Sequence, residues 1–164
     1  MLLKHLLCVV KYNMKTISFN RKAYHDYTIL ESVEAGIVLT GTEIKSVRAG
    51  RVNIRDAYAH PQGGELWLFN AHIARYEASS RDNHEPTRPR KLLLHRRQIN
   101  ELAGKVTQKG FTIVPLKLYI KNGVAKLELG LATGKKRYDK RESMASRQAE
   151  RDMERAMKLT KQRF

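Results

Sequence analysis

The chain has 164 residues, and its 32 Lys and Arg against 16 Asp and Glu give a net charge of +16 with His neutral. A hydrophobic content of 41% with 29% charged residues excludes a disordered or membrane-spanning protein and is typical of one folded domain with a tail. The single cysteine excludes an internal disulfide and a multi-cysteine zinc site. Because so much uncompensated charge repels itself, nucleic acid is the expected partner, ahead of an anionic membrane surface or an acidic protein.

Residues 1–13 form a short apolar stretch ahead of a second methionine, Met14. The stretch is shorter than the roughly 20 residues that a membrane-spanning helix needs. It contains Lys4 and His5 and is not followed by the small-residue cleavage site of a signal peptide. We therefore expect residues 1–13 to be an upstream extension of the reading frame, with a start at Met1 left open.

The first half of the chain is predicted to form short strands around one helix. Apolar and β-branched residues over 25–40 predict two short strands. The spacing of apolar residues becomes helical over 42–49, where a helix capped by Thr42 is expected. Residues 52–60 and 65–73 predict a hairpin.

The second half repeats this pattern after a loop predicted over residues 77–90. An apolar stripe over 94–109 predicts a helix, and an Asn-Gly turn joins strands predicted over 111–120 and 124–131. Pro115 indicates an edge position or a bulge. The order lacks βαβ spacing, so we expect a mainly β fold with helices, an antiparallel barrel of the oligonucleotide-binding (OB) type.

The composition changes at Thr133, which places an OB-fold domain at residues 14–132 and a basic tail at residues 133–164. The tail has a column of arginines at spacing four, which disfavours an isolated helix. We expect it to be disordered or frayed alone and helical against a polyanion. Small and apolar residues also follow helical spacing there: Ala149, Met153, Ala156, Met157 and Thr160.

Motifs for catalysis and metal binding are absent from the sequence, including HExxH, GxSxG and a spaced Cys/His set. Residues 36–42 lack the lysine of a phosphate loop, and the six histidines are expected at the surface or in loops. No enzyme activity, metal or cofactor is expected. A magnesium-dependent nuclease built on Asp26 and Asp56 stays as an alternative, although the sequence does not bring these carboxylates together with Glu34 and Glu43.

Two basic clusters lack compensating acids. Residues 88–91 and 96–97 flank a Leu-Leu-Leu run, and residues 135–137 lead into Tyr138. Tyr138 can stack on a base, and Gly134 allows the backbone to approach a phosphate closely. Structured or single-stranded RNA is favoured over duplex DNA, because no recognition-helix motif is present.

Five sequence blocks, in this order, closely resemble the small protein B (SmpB) family of SsrA-binding proteins: residues 20–27, 34–50, 88–95, 130–136 and 139–141. The resemblance spans about residues 17–160 and supports Met14 as the start. It implies a bacterial cytoplasmic protein with an OB-fold barrel and a basic C-terminal tail that is helical when bound. Enzyme activity, cofactors and a membrane partner are not implied.

The resemblance also implies a function in trans-translation. Family members bind the tRNA-like domain of transfer-messenger RNA (SsrA) and deliver it to stalled ribosomes. Their tail probes the decoding centre and the empty message channel, and elongation factor Tu with GTP is an indirect partner through the RNA. The alternative that stays open is a ribosomal or ribosome-assembly-associated protein that binds rRNA structurally.

Matching motif positions assign RNA binding to Glu34, Leu93 and Lys126, and the basic block adds Arg90 and Lys91. Lys126 is expected to pair with phosphate, and Glu34 to accept from a base edge or hold a basic neighbour. Leu93 is expected to pack under an unstacked base, with simple core packing as the alternative.

The resemblance implies that one tail segment reaches the decoding centre: Gly134, Lys135, Lys136, Tyr138, Asp139, Lys140 and Arg141. Ala156 and Met157 match a patch that matters for accommodation. Two positions depart from the family pattern. Tyr138 stands where many members have His. The tyrosine ring can still stack on a base, but it cannot be protonated as an imidazole can. Ala156 stands where some members have a larger aliphatic residue, which weakens the patch.

Overall fold

The computed structural model of the chain describes residues 14–77, 83–107 and 110–136, with single helical positions at Gln148, Met153, Arg155 and Met157. The predicted extension over residues 1–13 lies outside the described residues. The elements are, in chain order, β1 (Met14–Phe19), α1 (Arg21–Asp26), β2 (Tyr27–Ile37), α2 (Gly41–Arg48), β3 (Val52–Asn53), β4 (Tyr58–Gln62), β5 (Glu65–Phe69), β6 (His72–Ile73), β7 (Arg90–Leu93), α3 (Arg96–Thr107), β8 (Phe111–Lys121) and β9 (Val124–Gly134).

In the described part of the chain, antiparallel strands close into a ring in the order β8, β4, β5, β7, β2 and β9, and β9 pairs again with β8. β1 adds to β8 outside the ring, and β3 pairs separately with β6. Closure of the ring provides hydrogen-bond partners for backbone N–H and C=O groups that an open sheet would leave unpaired at its edges. The prediction of an antiparallel barrel decorated by helices is confirmed.

The interior of the ring is filled by side chains from each of its strands, as expected from alternation along a half-buried strand. The main contributors are Ala35, Ala59, Leu66, Leu68, Leu92, Ile113, Leu118, Leu127 and Leu129. The helix α3 places Leu102 in the same core and buries Ile99. The apolar stripe that predicted this helix is therefore its buried face.

The prediction of two strands over residues 25–40 is wrong. One long strand, β2, occupies most of this segment, with a bulge between Ile29 and Glu31, and it follows the helix α1. Asn20 caps α1, because its side-chain oxygen accepts a hydrogen bond from the Ala23 backbone N–H at 3.0 Å. The strand β1 ahead of this helix was missed, since its side chains are mostly exposed and give little alternation.

The helix α2 begins after Thr40, and the predicted cap Thr42 lies inside it. The Glu43 carboxylate accepts a hydrogen bond from the Thr40 backbone N–H at 2.7 Å. Thr42 Oγ1 instead lies 2.9 Å from Nδ1 of His84, whose Nε2 lies 3.1 Å from the Ile73 carbonyl oxygen. His84 lies in a loop, as expected for the histidines, but it is buried, so the loop predicted over residues 77–90 is not exposed at this position.

Pro115 lies at a register shift between β8 and β9, which confirms the bulge alternative. The edge alternative is excluded, because β8 pairs with β1, β4 and β9. β9 continues to Gly134, past the domain boundary expected at residue 132.

A buried ion pair joins α2 to β7. Glu43 and Arg90 both have fully buried side chains, and Arg90 Nε donates to Glu43 Oε1 at 2.9 Å. Arg88 donates to both oxygens of the same carboxylate, at 2.9 and 2.5 Å. Burial raises the pKa of the Glu43 carboxyl, but Arg88, the Thr40 N–H and Arg90 outweigh it and hold that pKa below its ordinary value.

We predict that Arg90→Met lowers the free energy of unfolding by about 3–5 kcal/mol, because it leaves Glu43 buried with Arg88 as its remaining cation. The loss of stability is largest at neutral pH, where Glu43 is ionised, and it shrinks as acid protonates Glu43. A carboxyl whose pKa is lowered by folding contributes stability above its unfolded-state pKa, and this contribution is lost as the pH falls through its folded-state pKa. Urea denaturation across pH measures both effects.

The matched control for this prediction is Lys105→Met, which removes a cation paired with Glu31 and Glu101 at the surface. Its effect on stability is expected to be small, because exposed pairs are screened by solvent. Equal effects of the two substitutions would contradict the role assigned to the Glu43–Arg90 pair.

Candidate nucleic-acid interface

Glu34, Leu93 and Lys126 lie on neighbouring strands of the barrel. Gly36 of β2 pairs with Leu93 of β7 on one side and with Lys126 of β9 on the other. All four residues line one open cleft of about 460 Å³, together with Leu94, His95 and Gln98. Three residues that are far apart in the sequence thus converge on one surface.

Leu93 forms the apolar part of the cleft. Its side chain is 52% exposed, which excludes the core-packing alternative. Side chains alternate along β7, so Arg90 and Leu92 are buried while Lys91 and Leu93 face outward. A Cβ atom on Gly36 would lie 3.2 Å from Leu93 Cβ, and the glycine thereby lets the leucine lie close to the sheet.

Glu34 is surrounded by donors. The Tyr119 hydroxyl donates a hydrogen bond to Glu34 Oε2, and Lys121 Nζ lies 3.4 Å from the same oxygen. Lys126 Nζ lies 3.5 Å from Glu34 Oε1. The Tyr119 hydrogen bond, with Lys121 and Lys126, lowers the pKa of the Glu34 carboxyl despite partial desolvation. Glu34 therefore holds basic neighbours, one of the two roles expected for it.

Tyr119 is the complementary partner in this contact. Its ring is buried, and Lys117 Nζ lies 5.2 Å from the ring centroid. Burial, the hydrogen bond to Glu34 and the negative charge of Glu34 raise the pKa of the Tyr119 hydroxyl. Tyr119 is thus a neutral donor and Glu34 an ionised acceptor near neutral pH.

Tyr119 and Lys121 are not among the site residues predicted from the sequence, although the Asn122–Gly123 turn indicates where they lie. In a two-residue hairpin the strands pair outward from the turn, so Lys121 pairs with Val124 and Tyr119 with Lys126. Counting back from the turn would therefore have placed Tyr119 beside the predicted phosphate contact Lys126.

Arg90 is a correction among the predicted RNA contacts. Its side chain is fully buried, and its donors reach Glu43 and the carbonyl oxygens of Ala71 at 2.5 Å and Pro86 at 2.9 Å. A side chain held inside the protein in this way is not available to a phosphate. Lys91, by contrast, faces outward and donates a hydrogen bond to Glu65.

The start of the tail is tied to α1. Gly134 pairs with Tyr27, and the Lys135 backbone N–H donates to the Asp26 carbonyl oxygen at 2.9 Å. Lys135 Nζ also donates to the Tyr24 carbonyl oxygen at 3.0 Å. These contacts hold the chain against the barrel as it leaves β9.

The remaining tail residues divide into two groups. Lys136 and Met157 are described and exposed, and Met157 is helical. The others lie outside the described residues: Tyr138, Asp139, Lys140, Arg141 and Ala156.

The carboxylates Asp26 and Asp56 line a common cavity of about 340 Å³ beside α1. Asp56 accepts a hydrogen bond from Lys22 Nζ at 2.5 Å, so a cation of the protein already contacts it. Among the described residues, no group of three or more His, Cys, Asp or Glu is arranged to hold a metal ion. None of the helices in the described part of the chain is long and apolar enough to cross a membrane.

A small antiparallel barrel is the scaffold of OB-type nucleic-acid-binding proteins, and a lysine beside an exposed apolar side chain can contact RNA. The family model described as SmpB protein matches residues 17–159, and the chain belongs to the SmpB family. This is a family of RNA-binding proteins and not of enzymes.

Individual relatives agree with this assignment. The chain is 62% identical over 144 residues to the SsrA-binding protein of Carboxydothermus hydrogenoformans, covering 88% of this chain and 97% of the relative. It is 61% identical to that of Shouchella clausii, covering 88% and 92%. A solved structure described as "tmRNA-SmpB: a journey to the center of the bacterial ribosome" is 52% identical with a TM-score of 0.63, covering 77% of this chain and 93% of that one.

We predict that Tyr119→Phe raises the pKa of the Glu34 carboxyl toward its ordinary value, because it removes the hydroxyl donor and keeps the packed ring. NMR titration of the Glu34 side-chain carboxyl carbon measures this shift. Tyr27→Phe, which removes a hydroxyl elsewhere on β2, serves as the control. An unchanged Glu34 titration in Tyr119→Phe would contradict the hydrogen bond.

Proposed function

We propose that this protein binds the tRNA-like domain of transfer-messenger RNA and delivers that RNA to stalled ribosomes in trans-translation, acting in the cytoplasm. One observation carries the proposal: Glu34, Leu93 and Lys126 converge on one exposed cleft. The names of the SsrA-binding relatives and the similar tmRNA-SmpB structure agree with it.

The chemistry of the cleft suits an RNA loop better than a duplex. Lys126 in the cleft and Lys121, which contacts Glu34, offer ammonium groups to phosphate, and Leu93 offers an apolar surface to the face of an unstacked base. Glu34 can accept an N–H from a base edge while remaining beside the lysines. Unpaired bases in loops expose the faces and edges that Leu93 and Glu34 would contact, whereas paired bases in an A-form helix hide them.

The protein divides into two working parts in this proposal. The OB-fold domain, residues 14–132, binds transfer-messenger RNA, and the tail, residues 133–164, works on the ribosome. The segment from Gly134 to Arg141 serves the decoding centre, and the patch of Ala156 and Met157 serves accommodation. The contacts of Lys135 with α1 support this division, because they give the tail a defined starting point on the barrel.

We predict that the protein prefers the isolated tRNA-like domain over an ordinary tRNA and over an unstructured RNA of equal length. The preference should persist across a salt series, because shape and base contacts survive where counterion release is suppressed. Filter binding with the three RNAs measures it. Three coincident curves would instead favour the structural rRNA-binding alternative.

A matched pair of lysines tests the cleft itself in the same assay. Lys126→Ala should weaken binding of the tRNA-like domain about tenfold, since a hydrogen bond to a charged group contributes about 1.5 kcal/mol. Lys15→Ala removes an equal charge from the exposed strand β1 and should change binding less than about twofold. Equal losses would show a generic basic surface and contradict the site.

We predict that ending the chain after Lys136 leaves RNA binding within about threefold at high salt, because the cleft and β9 stay whole. The same truncation should abolish peptide tagging on stalled ribosomes in a reconstituted translation assay. Ending after Lys136 rather than Thr133 keeps the Lys135 contacts with α1. A truncated protein that no longer binds the RNA would contradict the two-part organisation.

A further inference from the structure

The outer face of the β4–β5 hairpin carries four aromatic rings. Tyr58 pairs with Phe69 across the hairpin, and His60 pairs with Trp67. The alternate residues, Ala59, Leu66 and Leu68, are buried in the barrel core. We refer to Tyr58, His60, Trp67 and Phe69 as the aromatic face.

The side chains of the aromatic face remain accessible to solvent in the described part of the chain. Tyr58 is 43% exposed, His60 is exposed, and Trp67 and Phe69 are only partly buried. The Tyr58 and Phe69 rings stack with centroids 5.5 Å apart and an angle of 21° between their planes. Trp67 and Phe69 also line an open groove of about 380 Å³ with Pro89. Large rings grouped at the surface indicate a binding site.

The aromatic face is continuous with the cleft of Glu34, Leu93 and Lys126. Trp67 of β5 pairs with Lys91 of β7, and Leu93 lies two residues further along the same outward side of β7. Leu93 in turn pairs with Gly36 in the cleft. Lys91 donates a hydrogen bond to Glu65, which offsets the negative charge at the edge of the groove. A chain bound in the cleft can thus continue past Lys91 onto the rings.

We propose that the aromatic face is a stacking platform for unpaired bases of the RNA that occupies the Glu34 cleft. The inference rests on the proposed function, because it extends the same RNA along the barrel. Flat rings stack on any base, so the platform recognises single-stranded RNA without reading its sequence. RNA is favoured over a protein partner by the net charge of +16 and by the continuity with the cleft.

Trp67 gives a direct readout, since it is the only tryptophan in the chain. Stacking on a base should quench its emission during titration of the full-length protein with the tRNA-like domain. Oligouridylate should quench it at higher concentration, and a blunt RNA duplex of equal charge should not. The duplex controls for phosphate binding alone.

Three variants test whether stacking contributes to affinity. Trp67→Leu should weaken binding of the tRNA-like domain about tenfold, and Trp67→Phe, which keeps a flat ring, should stay within about threefold. Phe19→Leu removes an exposed ring from β1, away from the hairpin, and should leave affinity unchanged. The loss in Trp67→Leu should persist at high salt, where charge contributions fade. Circular dichroism melts confirm that each variant is folded, and Phe69→Leu replaces Trp67→Leu if the latter is not.

The outcomes separate this inference from the proposed function. Native binding of the tRNA-like domain with unchanged Trp67 emission and no loss in Trp67→Leu would overturn the platform alone. If the native protein showed no preference for the tRNA-like domain, the proposed function would fail, and oligouridylate quenching would still decide whether the rings stack on bases. A change in emission with protein concentration in the absence of RNA would assign the aromatic face to a protein contact and overturn the proposal.

Discussion

The buried ion pair between Glu43 and Arg90 determines which residues of β7 reach the solvent. Both side chains are fully buried, and the guanidinium group is held by the carboxylate and by backbone carbonyls. Because side chains alternate along a strand, an inward Arg90 places Lys91 and Leu93 outward. A slip of one residue would expose the arginine and bury a lysine without a partner, which is strongly unfavourable. The candidate RNA surface thus depends on a contact that faces the opposite side of the sheet.

A carboxylate at the centre of a candidate RNA site is explained by the charges around it. Lys121 and Lys126 approach Glu34 from neighbouring strands, and without the carboxylate their ammonium groups would repel each other. The contacts are 3.4 and 3.5 Å long and partly exposed, so a phosphate can replace Glu34 at either lysine with little loss. The Tyr119 hydroxyl holds the carboxylate in place, which orients the lysines before RNA arrives.

The sequence predicted the elements with strong local patterns and failed where a distant partner decides the structure. The β8–β9 hairpin and the helix α3 were predicted from an Asn-Gly turn and an apolar stripe. The sequence predicts Arg90 as an RNA contact because a run of basic residues is normally exposed. Its partner Glu43 lies 47 positions away in the sequence, and the residues around Arg90 do not predict that pairing. The aromatic face was missed for a related reason, since only the closed ring shows that Leu66 and Leu68 face inward and Trp67 outward.

The strand β9 links the two parts of the proposed mechanism. It carries Lys126 near its start and Gly134 at its end, about 26 Å apart at a rise of about 3.3 Å per residue. Between these residues it is hydrogen-bonded to β2 on one side and to β8 on the other, so it cannot bend independently of the barrel. Lys135 then fixes the departing chain on α1. An RNA bound at Lys126 and a tail starting after Lys135 are therefore held at a set distance, and the barrel acts as a rigid spacer between the RNA and the tail.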